Sequence, residues 1–96
     1  MPPDFDRLLE ELADMHVFLD VDLTDLPILA QYSSVPTARN LVLEATDAVA
    51  RAQSRQDPLL ERRALQAVAI ARQAVKKAGG VVALVRIRDK IRDKLG

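Results

Sequence analysis

Val35-Pro36-Thr37-Ala38-Arg39-Asn40-Leu41-Val42-Leu43-Glu44-Ala45-Thr46-Asp47-Ala48-Val49-Ala50-Arg51-Ala52-Gln53-Ser54-Arg55-Gln56-Asp57-Pro58 is the most regular stretch of the chain. Ala38, Leu41, Val42, Ala45, Ala48, Val49 and Ala52 fall within a stripe of about 120° on a helical wheel, and Arg39, Asn40, Glu44, Asp47 and Arg51 cover the opposite side. Pro36 suits a first helical turn. Asp57-Pro58 supplies a cap and a first-turn proline for another helix, so the first of the two ends near Gln56.

The following helix is expected from about Pro58 to Ala78, closed by Gly79-Gly80, where glycine readily takes the left-handed conformation. Leu60, Ala64, Ala67, Val68, Ala71, Ala74, Val75 and Ala78 form its core stripe, and side chains this small let two helices pack closely. Val81-Val82-Ala83-Leu84-Val85 has the β-branched content of a strand, but Ile87, Ile91 and Leu95 repeat every four residues and stack on one helical face. Arg86, Asp89, Arg92 and Lys90, Asp93 are opposite-charge neighbours three apart on that helix.

Towards the N-terminus, Phe5, Leu8, Leu9, Leu12, Met15 and His16 share an apolar arc, which predicts a helix from about Asp4 to His16. A connector over Asp20–Asp25 and a short helix from about Leu26 to Tyr32 complete the chain. The expected fold is an all-α, compact antiparallel bundle of four main helices plus one short helix, a single domain over residues 1–96.

The core is made of small residues. Alanine supplies fourteen positions, against two Phe, one Tyr and no Trp. Such a core buries little area per residue, at about 25 cal/mol per Å² of apolar surface, so self-association is expected to add stability. There is no cysteine, which excludes disulfides and thiolate chemistry, and no apolar run exceeds five residues, as in Val81–Val85. The N-terminus lacks the basic and apolar blocks of a signal peptide, and the expectation is a cytoplasmic protein without membrane contact.

Few residues offer chemistry. His16 is the single histidine and sits in an apolar arc at a helix end, where a structural role is expected. Asp20, Asp22, Thr24 and Asp25 resemble the start of a calcium loop, but the sixth position is not glycine and the twelfth is Gln31. Ser33, Ser34 and Ser54 stand in no nucleophile turn, and Gly79-Gly80 lacks the lysine of a phosphate loop. The chain is therefore read as non-catalytic, with no metal, no cofactor and no small-molecule substrate.

Net charge is zero, but residues 1–48 carry ten acids and two bases while residues 49–96 carry twelve bases and four acids. This −8/+8 split points either to charged partners or to pairing within the bundle. Leu43, Leu65 and Val82 fall off their helices' apolar stripes, and Ile70 lies at a border. Together they are the candidate apolar contacts of an adaptor-like protein–protein interaction or oligomerisation module, with self-association expected. Arg62, Arg86, Arg88, Lys90 and Arg92 are the candidate charged contacts. The alternative is nucleic-acid binding by the basic C-terminal helices. Against it, Asp89 and Asp93 interrupt the surface and no aromatic residue offers a stacking platform there.

Overall fold

A computed structural model describes residues 4–16 and 34–95, and these are helical apart from helix ends and tight connections. Four helices follow in order: α1 (Phe5–Asp14), α2 (Ser34–Arg55), α3 (Pro58–Lys77) and α4 (Gly80–Leu95). The expected all-α bundle is the fold observed. The Asp20–Asp25 connector and the short helix expected over Leu26–Tyr32 lie outside the described residues.

The caps follow from local chemistry. The Asp4 carboxylate accepts the Arg7 N–H at 3.1 Å and starts α1. Asp57 does the same for α3, accepting the Leu59 N–H at 2.9 Å, with Pro58 in the first turn where its missing N–H costs nothing. Between α2 and α3 the chain reverses over Gln56 and Asp57 alone. Gln56 closes α2 in the left-handed region, at φ 52°, while its N–H donates to the Ala52 carbonyl at 3.1 Å.

α2 and α3 make the most extensive contact in the bundle. The reason lies in their spacing. Val35, Ala38, Val42, Ala45, Val49 and Ala52 are all buried, three and four residues apart in alternation; Ala64, Val68, Ala71 and Val75 repeat the pattern on α3. This is a heptad seam in which alanine and valine alternate. Alanine lets the backbones approach, and valine, nearly confined to one rotamer in a helix, fills the remaining space at little entropic cost. The first two turns of α2 lie opposite the last turns of α3, so the pair is an antiparallel hairpin.

α1 lies along one side of this hairpin. Leu12 is its buried anchor, with Phe5, Leu8, Leu9 and Met15 half-buried against the core. Gln53 Nε2 donates to Asp6 Oδ1 at 3.0 Å, while His16 meets Thr46, so α1 runs antiparallel to α2. α4 leaves α3 through Gly79, whose φ is +106° and where a Cβ would come within 2.7 Å of Ala83 Cβ. Only glycine fits both conditions. Leu84 and Ile91 are the buried residues of α4, seven apart on one face, with Ile87 half-buried between them. The whole measures about 46 by 20 by 19 Å, and no polar or charged side chain among the described residues is buried.

Candidate interaction surface

The four apolar residues singled out from the sequence occupy different places. Leu43 is half-buried and borders a cavity of about 10 Å³ with Met15, His16, Arg39, Val75 and Leu84 among its walls, space for one water at most. Leu65, 45% exposed, stands in the cleft between α1 and α3 beside Leu8, Glu11 and Arg72. Ile70, 54% exposed, lies on the other flank of α3, in an open groove against α2, and Val82, 70% exposed, is on α4. Leu65 and Ile70 are five residues apart, hence about 140° apart around the helix, and share no surface. Leu59, 52% exposed, was not among the candidates. Its signal was present in the spacing, for eleven residues bring Leu59 to within about 20° of Ile70.

The charged candidates are placed as follows. Arg62, Arg86, Lys90 and Arg92 are exposed. Arg88 is half-buried, with its Nε 3.5 Å from the neighbouring Asp89 carboxylate. On α4 the exposed Asp89 and Asp93 alternate with the cations, whereas the exposed positions of α3 hold Arg62, Arg63, Arg72, Lys76 and Lys77 and no acid. Arg72 is drawn off this set. Its Nε and Nη2 donate to the two Glu11 carboxylate oxygens at 2.5 and 2.6 Å, joining α3 to α1. The hydrogen bond from Arg72 holds the Glu11 carboxyl below its ordinary value, and the bond to Glu11 raises the guanidinium in turn.

The remaining cations frame the outer face of α3. Arg63, Ile70 and Lys77 repeat every seven residues along one ridge, and Arg62, Ala69 and Lys76 along the next. Each ridge is basic at both ends and apolar in the middle. Ile70 borders a groove of about 570 Å³ that it shares with Ser34, Thr37, Leu41, Gln73 and Ala74. Its floor extends further: Leu41 and Ala48 on α2 and Leu60, Ala67 and Ala74 on α3 are half-buried at intervals of seven, a second apolar seam flanking the core. α1 packs on Gln53 and Thr46 of α2 and Arg72 of α3, which are on the far side of the hairpin from this seam.

His16 serves the fold. Thr46 donates its hydroxyl hydrogen to the Val42 carbonyl at 2.9 Å, so His16 Nε2 carries a hydrogen and donates it to Thr46 Oγ1 at 3.0 Å. Among the described residues no three acidic, His or Cys side chains gather as a metal site, and no helix is long and apolar enough to cross a membrane. Compared with known protein families, with curated proteins and with solved structures, the chain matches none.

Proposed function

We propose that this protein is a non-catalytic interaction module that docks a helix of a partner chain on the side of its α2–α3 hairpin that no other described helix covers. The observation that carries the reading is the half-exposed Ile70, set in a groove with an apolar floor and flanked a heptad before and a heptad after by the exposed Arg63 and Lys77. Apolar burial supplies the attraction in such an arrangement, and the surrounding charge selects and orients the partner. The reading is that of an adaptor in the cytoplasm, a setting suited to a chain without cysteine. Oligomerisation is the variant in which a second copy occupies the groove. The test is selection of helical peptides from a displayed random library on the full chain. Wild type should enrich helices that the Ile70→Glu variant no longer retains; enrichment that is indifferent to Ile70, or none, would overturn the reading.

A second reading, nucleic-acid binding, draws on the five exposed cations of α3, whose single acid, Glu61, is half-buried. It requires that the purified protein carry absorbance at 260 nm that high salt removes.

A further inference from the structure

The docking reading leaves the chemistry of the partner open, and the geometry of the groove narrows it. We infer that the groove over Leu41 and Ile70 receives an acidic amphipathic helix of a different protein; the inference rests on the docking reading.

The shape favours a helix. A hairpin of two long helices has two flanking grooves, and α1 lies in one. The other presents Leu60, Ala67 and Ala74 along α3 and Leu41 and Ala48 along α2. From Leu60 to Ala74 the seam runs about 21 Å, four helical turns. Residues spaced by seven on both walls are what a third helix meets when its own apolar stripe settles between two others.

The charge decides the sign of the partner. The α3 wall carries Arg63 and Lys77, both exposed and on the ridge of Ile70, whereas Arg62 and Lys76 stand further round the helix towards Leu65. The α2 wall carries Glu44 and Arg55, which cancel, with Asp47 and Arg51 paired at 3.1 Å. A helix lying in the groove therefore faces one cation towards each end of the α3 wall and no net charge on the α2 wall. Glutamate or aspartate at its flanks would be complementary, and lysine or arginine would be repelled.

A second copy fits worse on two counts. Groove-to-groove packing about a two-fold axis gathers Arg63 and Lys77 of both copies into one interface. The acidic helix among the described ones, α1, exposes Asp6, Glu10 and Asp14, with Asp4 at its cap, but only Ala13 as an apolar residue, because its leucines already face its own core. It has the charge and lacks the stripe. Nucleic acid has the charge too, but gains nothing from Ile70 and Ala69 at the centre of the face.

The direct test is fluorescence anisotropy of the full chain with two synthetic helices of about 18 residues, long enough to hold helical structure. Both present the same leucine stripe; one has glutamate flanks and the other lysine flanks. The inference predicts that the acidic helix binds at least about tenfold more tightly than the basic one, and that Ile70→Glu weakens it by about tenfold or more. High salt should weaken it only severalfold, since the apolar contact is unscreened. Leu65→Lys, on the other flank of α3, should bind like wild type. Equal binding of the two helices, indifference to Ile70→Glu, displacement by duplex DNA, or a dimer of the chain alone that Ile70→Glu dissociates would each overturn the acidic-partner assignment. The two readings fail separately. If the library yields neutral or basic helices that Ile70→Glu rejects, the docking reading stands and the acidic partner falls; if no helix is retained, both fall.

Discussion

Leu65 and Ile70 are neighbours in sequence terms, five residues apart on α3, yet one faces the cleft beside Glu11 and the other the groove beside Leu41. The difference of about 140° around the helix separates two apolar side chains of similar exposure into different roles. Leu65 lies where α1 and α3 join. Ile70 lies where nothing among the described residues packs, with cations a heptad before and a heptad after it.

The first prediction concerns stability at Ile70. Its side chain is 54% exposed, so Ile70→Glu should change folding free energy by no more than about 0.5 kcal/mol, as surface substitutions do. Thermal unfolding followed by circular dichroism should therefore nearly overlay wild type. A large drop would mean that Ile70 belongs to the core and not to a docking face.

A second prediction addresses the alanine seam. Ala45 and Ala71 are fully buried where α2 and α3 approach. Ala71→Leu inserts volume with no space to receive it and should destabilise by about 1–3 kcal/mol. A lowered urea midpoint with an unchanged slope is the expected signature. An unchanged midpoint would show that the helices are not held at alanine distance.

Two turn positions should respond with opposite signs. Gln56 holds φ 52° without being glycine, a conformation costing about 1 kcal/mol for a residue with a Cβ. Gln56→Gly should recover part of that, roughly 0.5 kcal/mol, since glycine also raises the entropy of the unfolded chain. Gly79→Ala should lose more than about 1 kcal/mol, because φ +106° and the 2.7 Å approach to Ala83 both exclude a methyl group. Denaturant titration of the two variants checks the signs.

The Glu11–Arg72 pair gives a pH dependence. The folded-state pKa of Glu11 is depressed below 4.5, so its contribution is present above that value and disappears as pH falls through the lower folded value. Both side chains are more than a third exposed, and solvent screening limits the pair to about 0.2–1 kcal/mol. Glu11→Gln should be less stable than wild type by that amount at neutral pH, with the difference vanishing in acid once pH has fallen through the lowered folded value. A difference that persists in acid would assign the loss to packing instead of charge.

Much of the fold was legible because single residues dictate local geometry. Asp57-Pro58 marks a helix start through a carboxylate that can accept an N–H and a ring that lacks one, and the cap is observed there. Gly79 marks a helix end for the reason the 2.7 Å approach to Ala83 makes explicit. The left-handed Gln56 left no such trace, because glutamine has no preference for that conformation. Leu43 shows the limit of a single helical wheel. The wheel assumes one buried direction, but α2 has neighbours on more than one side, and Leu43, on its polar back, is covered near Met15 and Leu84.

The surface was legible in part. The cations of α3 and the off-stripe position of Leu65 can be read from the wheel, as can the segregation of charge along the chain. Which flank of the hairpin α1 would occupy is a tertiary matter. It determines that Arg72 is spent on Glu11 at 2.6 Å, that Leu65 joins a cleft with α1, and that Ile70 is left facing an open groove. The second seam of Leu41, Ala48, Leu60, Ala67 and Ala74 stands out only once the two helices are paired antiparallel, since each half alone reads as the edge of a core stripe.

The docking of a helix at Ile70 is tested most directly by titrating the acidic amphipathic helix into ¹⁵N-labelled full-length protein and following amide shifts. Saturable shifts concentrated at Thr37, Leu41, Ile70, Gln73 and Lys77, with Glu11 and Leu65 little changed, are the predicted result. Shifts centred on Val82–Asp93 or on α1, or no saturable change at all, would contradict it.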